Sequence, residues 1–154
     1  MDYILSTAIG CLVAFVFAIP AIVLEIVERW RVQNAPLLVD VKTIFGRTLD
    51  RHEKFLVALL LHLVIGSLFG LIYIVFVKNE WLVFTNSPFS FLSLAIYAVC
   101  AWIVTGTVIF PSLGMGLFGG REGQRVWLEM LVSHFVLGAG LWLLVQYFQP
   151  PFFL

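Results

Sequence analysis

Two histidines stand four residues before a glycine in otherwise apolar sequence: His62 in HLVIG and His134 in HFVLG. An ionisable side chain inside an apolar stretch is a candidate for function, because burying it costs solvation. Histidine is the mildest case, since the imidazole can be buried neutral. Two chemistries suit the pattern. Paired histidines on different helices can ligate haem iron from opposite sides, as in membrane b-type cytochromes. A flat macrocycle, haem or a chlorophyll-type pigment, also needs small neighbours. His62 has Ala58 and Gly66 one turn away on either side. His134 has Gly138 on one side but Met130 on the other, so its surroundings are less open. The competing and favoured reading is structural. Each imidazole then hydrogen-bonds across a helix interface, and the glycine lets the neighbouring helix approach. Thr105, Thr107 and Ser133 are candidate partners.

No other residues compose a reactive set. His52 lies among Asp50, Arg51 and Glu53 and reads as a solvated residue. Cys11 and Cys100 both fall inside apolar stretches, with no metal-ligand spacing and no disulfide framework, and read as small packing residues. Glu25 with Arg29, and Arg125 with Glu129, are spaced as i,i+4 pairs at helix ends. No Ser-His-Asp set, zinc motif or carboxylate dyad is evident, so no enzymatic activity is expected. No Asp or Glu sits at mid-depth in an apolar stretch, which disfavours a small transporter or channel coupled to protons or cations.

The elements that must position these histidines follow from composition. Of 154 residues, 62% are hydrophobic and 12% charged, against about 25% charged in a soluble domain. Four uncharged stretches, Tyr3–Leu24, Phe55–Val77, Phe89–Phe110 and Met130–Phe148, approach or exceed the ~20 residues that cross ~30 Å of hydrocarbon as a helix. Lipid cannot satisfy backbone polar groups, so these stretches are helical. The first lacks a basic leader and a small-residue cleavage site, and reads as a retained helix rather than a signal peptide. The expected architecture is all-α: a four-transmembrane-helix bundle forming one integral membrane domain over residues 1–154, with helices at about 3–27, 55–77, 89–112 and 127–148.

Of nine Lys and Arg residues, six lie between the first two helices, two (Arg121 and Arg125) between the last two, and Lys78 alone between helices two and three. The positive-inside rule places loops 25–54 and 113–126 in the cytoplasm and both termini outside a plasma (inner) membrane. In the first loop, PLLVDVKTIFGRTLD spaces Leu37, Leu38, Val41, Ile44, Phe45 and Leu49 as one helical face. This pattern predicts a short interfacial amphipathic helix at about 36–50, lying on lipid or over the bundle.

Helices one plus two match helices three plus four. Pro20 and Pro111 lie toward the cytoplasmic ends of the odd helices, where each should kink or end its helix. The His-x3-Gly motifs lie in the even ones. This is a two-fold (2+2) internal repeat of parallel type. Each histidine is the eighth residue of its helix, counted from Phe55 and from Trp127, which sets both about 10 Å into the membrane. Helix one carries Ser6, Gly10, Ala14 and Ala18, and helix two Gly66 and Gly70. Such small residues let helix backbones approach closely, within one chain or between two. After Pro111, SLGMGLFGGREG places five glycines between Gly114 and Gly123. A tight interfacial turn is expected there, with Arg121 and Arg125 able to meet a lipid headgroup or another anion.

These features together resemble one family. The chain runs from a first helix rich in small residues, through a loop with an amphipathic segment after a proline, to HLVIGSLFGLIY, FPSLGMGLFG and SHFVLGAGL. In this it resembles a group of small, uncharacterised four-helix membrane proteins of bacteria and archaea. The resemblance covers most of the chain, implies the topology, and supplies no catalytic residues. The expected function is a non-enzymatic multi-pass subunit, structural or accessory. It would contact the lipid bilayer and other membrane subunits or copies of itself, but not nucleic acid. The alternatives are a haem- or pigment-binding accessory or electron-transfer subunit using His62 and His134, and a small transporter or channel.

Overall fold

The computed structural model describes residues 2–27, 38, 41–81 and 90–148. It is an all-α bundle of four helices long and apolar enough to cross a membrane, and the chain is a multi-pass membrane protein. Helix α1 spans Asp2–Val27 and continues through Pro20. Helix α2 spans Arg51–Lys78, beginning four residues before Phe55 because Asp50 caps it. The Asp50 carboxylate accepts from Glu53 N at 2.8 Å, and Asp50 N donates to Glu53 Oε2 at 3.0 Å. That reciprocal box satisfies two otherwise orphaned donors. Helix α3 spans Phe91–Val104, with Ser93 N donating to the Ser90 cap. It widens into a π-helical segment, Thr105–Ile109, then closes with one α-turn, Phe110–Ser112. The widened turn ends two residues before Pro111, where the ring cannot fit an ideal α-helical ladder. Helix α4 spans Val126–Phe148.

The helices pack chiefly in two pairs, α1 with α2 and α3 with α4. In the first pair the backbones touch. A Cβ on Gly10 would collide with Gly66 O and lie 2.9 Å from Gly70 N. One on Gly70 would collide with Ser6 O, and one on Gly66 with the Ala14 side chain. The Ser6 hydroxyl donates to Gly70 O at 2.6 Å. Ser6, Gly10, Ala14 and Ala18 are all buried, so the small-residue stripe belongs to a contact within one chain. At the far end of this pair Lys78 forms an ion pair with Asp2 and lies 4.8 Å from the centre of the Tyr3 ring.

Over the described part of the expected amphipathic helix, residues 41–50 form a hairpin instead. Strands β1 (Thr43–Ile44) and β2 (Arg47–Thr48) are antiparallel, with Thr43 opposite Thr48 and Ile44 opposite Arg47. Phe45 and Gly46 form the turn, both at positive φ (48° and 78°), the sign pattern of a type I′ turn. Phe45 N donates to Leu113 O at 2.7 Å, holding an aromatic residue in a conformation it rarely adopts. Residues 36, 37, 39 and 40 of that expected helix lie outside the described residues. So does Arg29, the expected partner of Glu25.

Candidate functional site

His62 and His134 face one small cavity between α2 and α4. Val41 from the hairpin loop, Phe110, Met130 and Ser133 complete much of its wall. His62 Nε2 lies 3.1 Å from Ala14 O on α1. A carbonyl only accepts, so Nε2 carries the proton in this contact. His134 is engaged at both ring nitrogens. Nδ1 donates to Met130 O at 2.8 Å, and Nε2 lies 3.2 Å from the hydroxyl of Thr105, the first residue of the π segment. With Nδ1 protonated, the neutral ring accepts from Thr105 through Nε2. The Phe69 ring approaches His134 edge-on at 6.2 Å.

Each histidine therefore bonds to the helix paired with its own. Of the sequence-derived partners, Thr105 makes the contact. Thr107 turns outward and donates to Ile103 O, and Ser133 has no hydrogen-bond partner among the described residues. The glycines behave differently. Gly66 is filled by Ala14 and leaves no slot beside His62. Gly138 sits in ordinary contact with Ala98 Cβ (3.4 Å) and Leu94 O (3.5 Å). Ala58 lines the cavity.

A tetrapyrrole does not fit this arrangement. The cavity measures about 20 Å³, the room of a single water, and both histidine Nε2 atoms are already engaged. Among the described residues no group of three His, Cys, Asp or Glu side chains is placed to hold a metal ion.

Below the cavity lies a polar cluster that the sequence reading missed. Glu122, in the Gly-Gly-Arg-Glu-Gly turn, is 2% exposed. Its carboxylate accepts from Thr43 N at 3.1 Å, and from Lys42 N and the Thr43 hydroxyl. Lys42 Nζ donates to Glu122 O at 2.5 Å. One acidic side chain thus fastens the first loop, hairpin included, to the Gly-rich turn. The signal in the sequence was a carboxylate set among five glycines and basic residues, but its partners lie about eighty residues away.

The turn itself holds Gly114, Gly116 and Gly119 at positive φ. Gly114 lies against Phe45 and Gly46 of the hairpin, where a Cβ would come within 3.3 Å of Gly46 N. Arg121 curls back to donate to Gly114 O at 3.2 Å, and both Arg121 and Arg125 are exposed. The expected Arg125–Glu129 pair does not form. Arg47 pairs with Glu53, and Lys78 with Asp2. Tyr97 is a core residue whose hydroxyl donates to Phe69 O at 2.7 Å.

Comparison with known families matches the chain to "Protein of unknown function (DUF2938)" over residues 4–147. The chain belongs to this family. No curated protein and no solved structure matches it. The family shares the small size and undetermined activity of the group the sequence resembles, and it assigns no role to His62, His134 or Glu122.

Proposed function

We propose that this chain is a non-enzymatic membrane subunit that packs in the bilayer with a larger complex or with copies of itself. The observation that supports this best is how its intramembrane polar groups are used. His62, His134, Ser6 and Tyr97 all make hydrogen bonds between helices. The outward faces, including Leu12, Val16, Leu60, Leu92, Val108 and Leu143, are apolar and exposed. Such faces suit lipid or another transmembrane helix. Crosslinking in native membranes followed by denaturing electrophoresis tests the reading. Discrete higher-mass species are expected, and a chain recovered only as monomer overturns it.

In this reading the hairpin loop and the Gly-rich turn are cytoplasmic. The Glu122 cluster holds both at one end of the bundle, and the loops they belong to, 25–54 and 113–126, carry eight of the nine Lys and Arg residues. A C-terminal alkaline phosphatase fusion should be active, reporting an outside terminus. An inactive phosphatase with a fluorescent C-terminal GFP contradicts it. The paired packing also supports a duplicated helical hairpin, since His62 reaches α1 as His134 reaches α3. Protein purified in mild detergent is expected to be colourless. A Soret band abolished by His62→Ala and His134→Ala would restore the haem reading.

A further inference from the structure

We propose that the cavity between α2 and α4 is a binding site for one water molecule, held between His62 Nδ1 and the Ser133 hydroxyl. The water then links the α1–α2 pair to the α3–α4 pair. Three observations converge on this site. Its volume, about 20 Å³, exceeds the ~10–15 Å³ a single water requires. Its two polar groups are unpartnered and complementary. His62 uses Nε2–H on Ala14 O, so its neutral ring offers a lone pair at Nδ1, and the Ser133 hydroxyl makes no hydrogen bond to the described residues. Finally, no side-chain nitrogen or oxygen among the described residues is both sealed and unpaired. The Nδ1 and hydroxyl atoms therefore border open space, and both residues line this cavity.

The remaining wall fixes the orientation of the guest. His134 is saturated at both nitrogens, and Val41, Phe110 and Met130 are apolar there. The water therefore donates to His62 Nδ1 and accepts from Ser133 O–H. A buried polar pair satisfied in this way is cheaper than two orphaned groups. The contact also joins α2 to α4, a connection that the α1–α2 and α3–α4 seams do not make.

Histidine-labelled full-length protein in lipid bilayers, studied by water-edited solid-state NMR, tests the site. Magnetisation transfer from water to the His62 ring is expected, with Nδ1 in its unprotonated, hydrogen-bond-accepting state. Ser133→Val replaces the hydroxyl and fills the space, so the transfer should be lost while the His134 ring signals stay in place. If Ser133→Val does not fold, Ala58→Val fills the same cavity from α2 and should give the same loss. No water transfer to His62 in the unaltered protein overturns the proposal. So does transfer that survives undiminished in the folded cavity-filling variant.

Discussion

The two helix pairs carry the same short motif and hold together by different physics. In the α1–α2 seam Gly66 and Gly70 meet Ser6, Gly10 and Ala14 with backbone on backbone. In the α3–α4 seam Gly138 has ordinary van der Waals room, and the helices are joined by side chains such as Thr105 bonding to His134. A His-x3-Gly motif therefore says that a helix is approached on that face, not how closely. Close approach needs small residues on both partners, and α1 supplies them at every fourth position from Ser6 to Ala18. Helix α3 offers Leu94, Ala98 and Thr105 on its facing side, bulkier and more widely spaced.

The sharpest way to break this contrast is Gly10→Ala, for which the new methyl meets Gly66 O and the Gly70 backbone. Backbone cannot step aside as a side chain can. A destabilisation of about 2–3 kcal/mol or a failure to fold is expected, read as the midpoint of SDS-induced unfolding in mixed micelles. Glu122→Ala should come next, at about 1–3 kcal/mol, because Lys42 N, Thr43 N and the Thr43 hydroxyl lose their acceptor together. Its signature is local: protease cleavage within residues 41–50 should accelerate while the helices remain protected. His134→Leu should cost about 0.5–1 kcal/mol, the usual size of an interhelical hydrogen bond in a membrane. The double change His134→Leu with Thr105→Val should cost little more than the single one, because both partners of one bond are then gone. Additive losses would show that the two side chains act separately. Gly138→Ala should be the mildest, neutral or stabilising by up to about 1 kcal/mol through helix propensity.

The four spanning helices were legible because length and the lack of charge leave a chain in lipid few alternatives. The basic loops were legible as a shared end for the same reason of composition. The segment 41–50 was not. Val41, Ile44, Phe45 and Leu49 fit helical spacing, yet Thr43-Ile44 and Arg47-Thr48 flanking Phe45-Gly46 also fit a two-residue hairpin. The choice was made elsewhere, by Glu122 binding Lys42 and Thr43 and by Leu113 O accepting from Phe45 N. Such long-range polar contacts leave no periodic trace in a single sequence. The candidate site was half legible. Both histidines and Thr105 were identified, but whether they framed a pocket or closed an interface depended on Ala14, whose side chain fills the space beside Gly66. The π-helical segment before Pro111 had no sequence signal beyond the proline itself.

One paired measurement tests the central contrast most directly: Gly66→Ala and Gly138→Ala, each the glycine of its own His-x3-Gly motif, unfolded side by side under identical conditions. The expected result is a large loss of stability for Gly66→Ala, where the new methyl collides with Ala14, and little change or a slight gain for Gly138→Ala. Equal effects of the two substitutions, or a greater loss at Gly138, would contradict it.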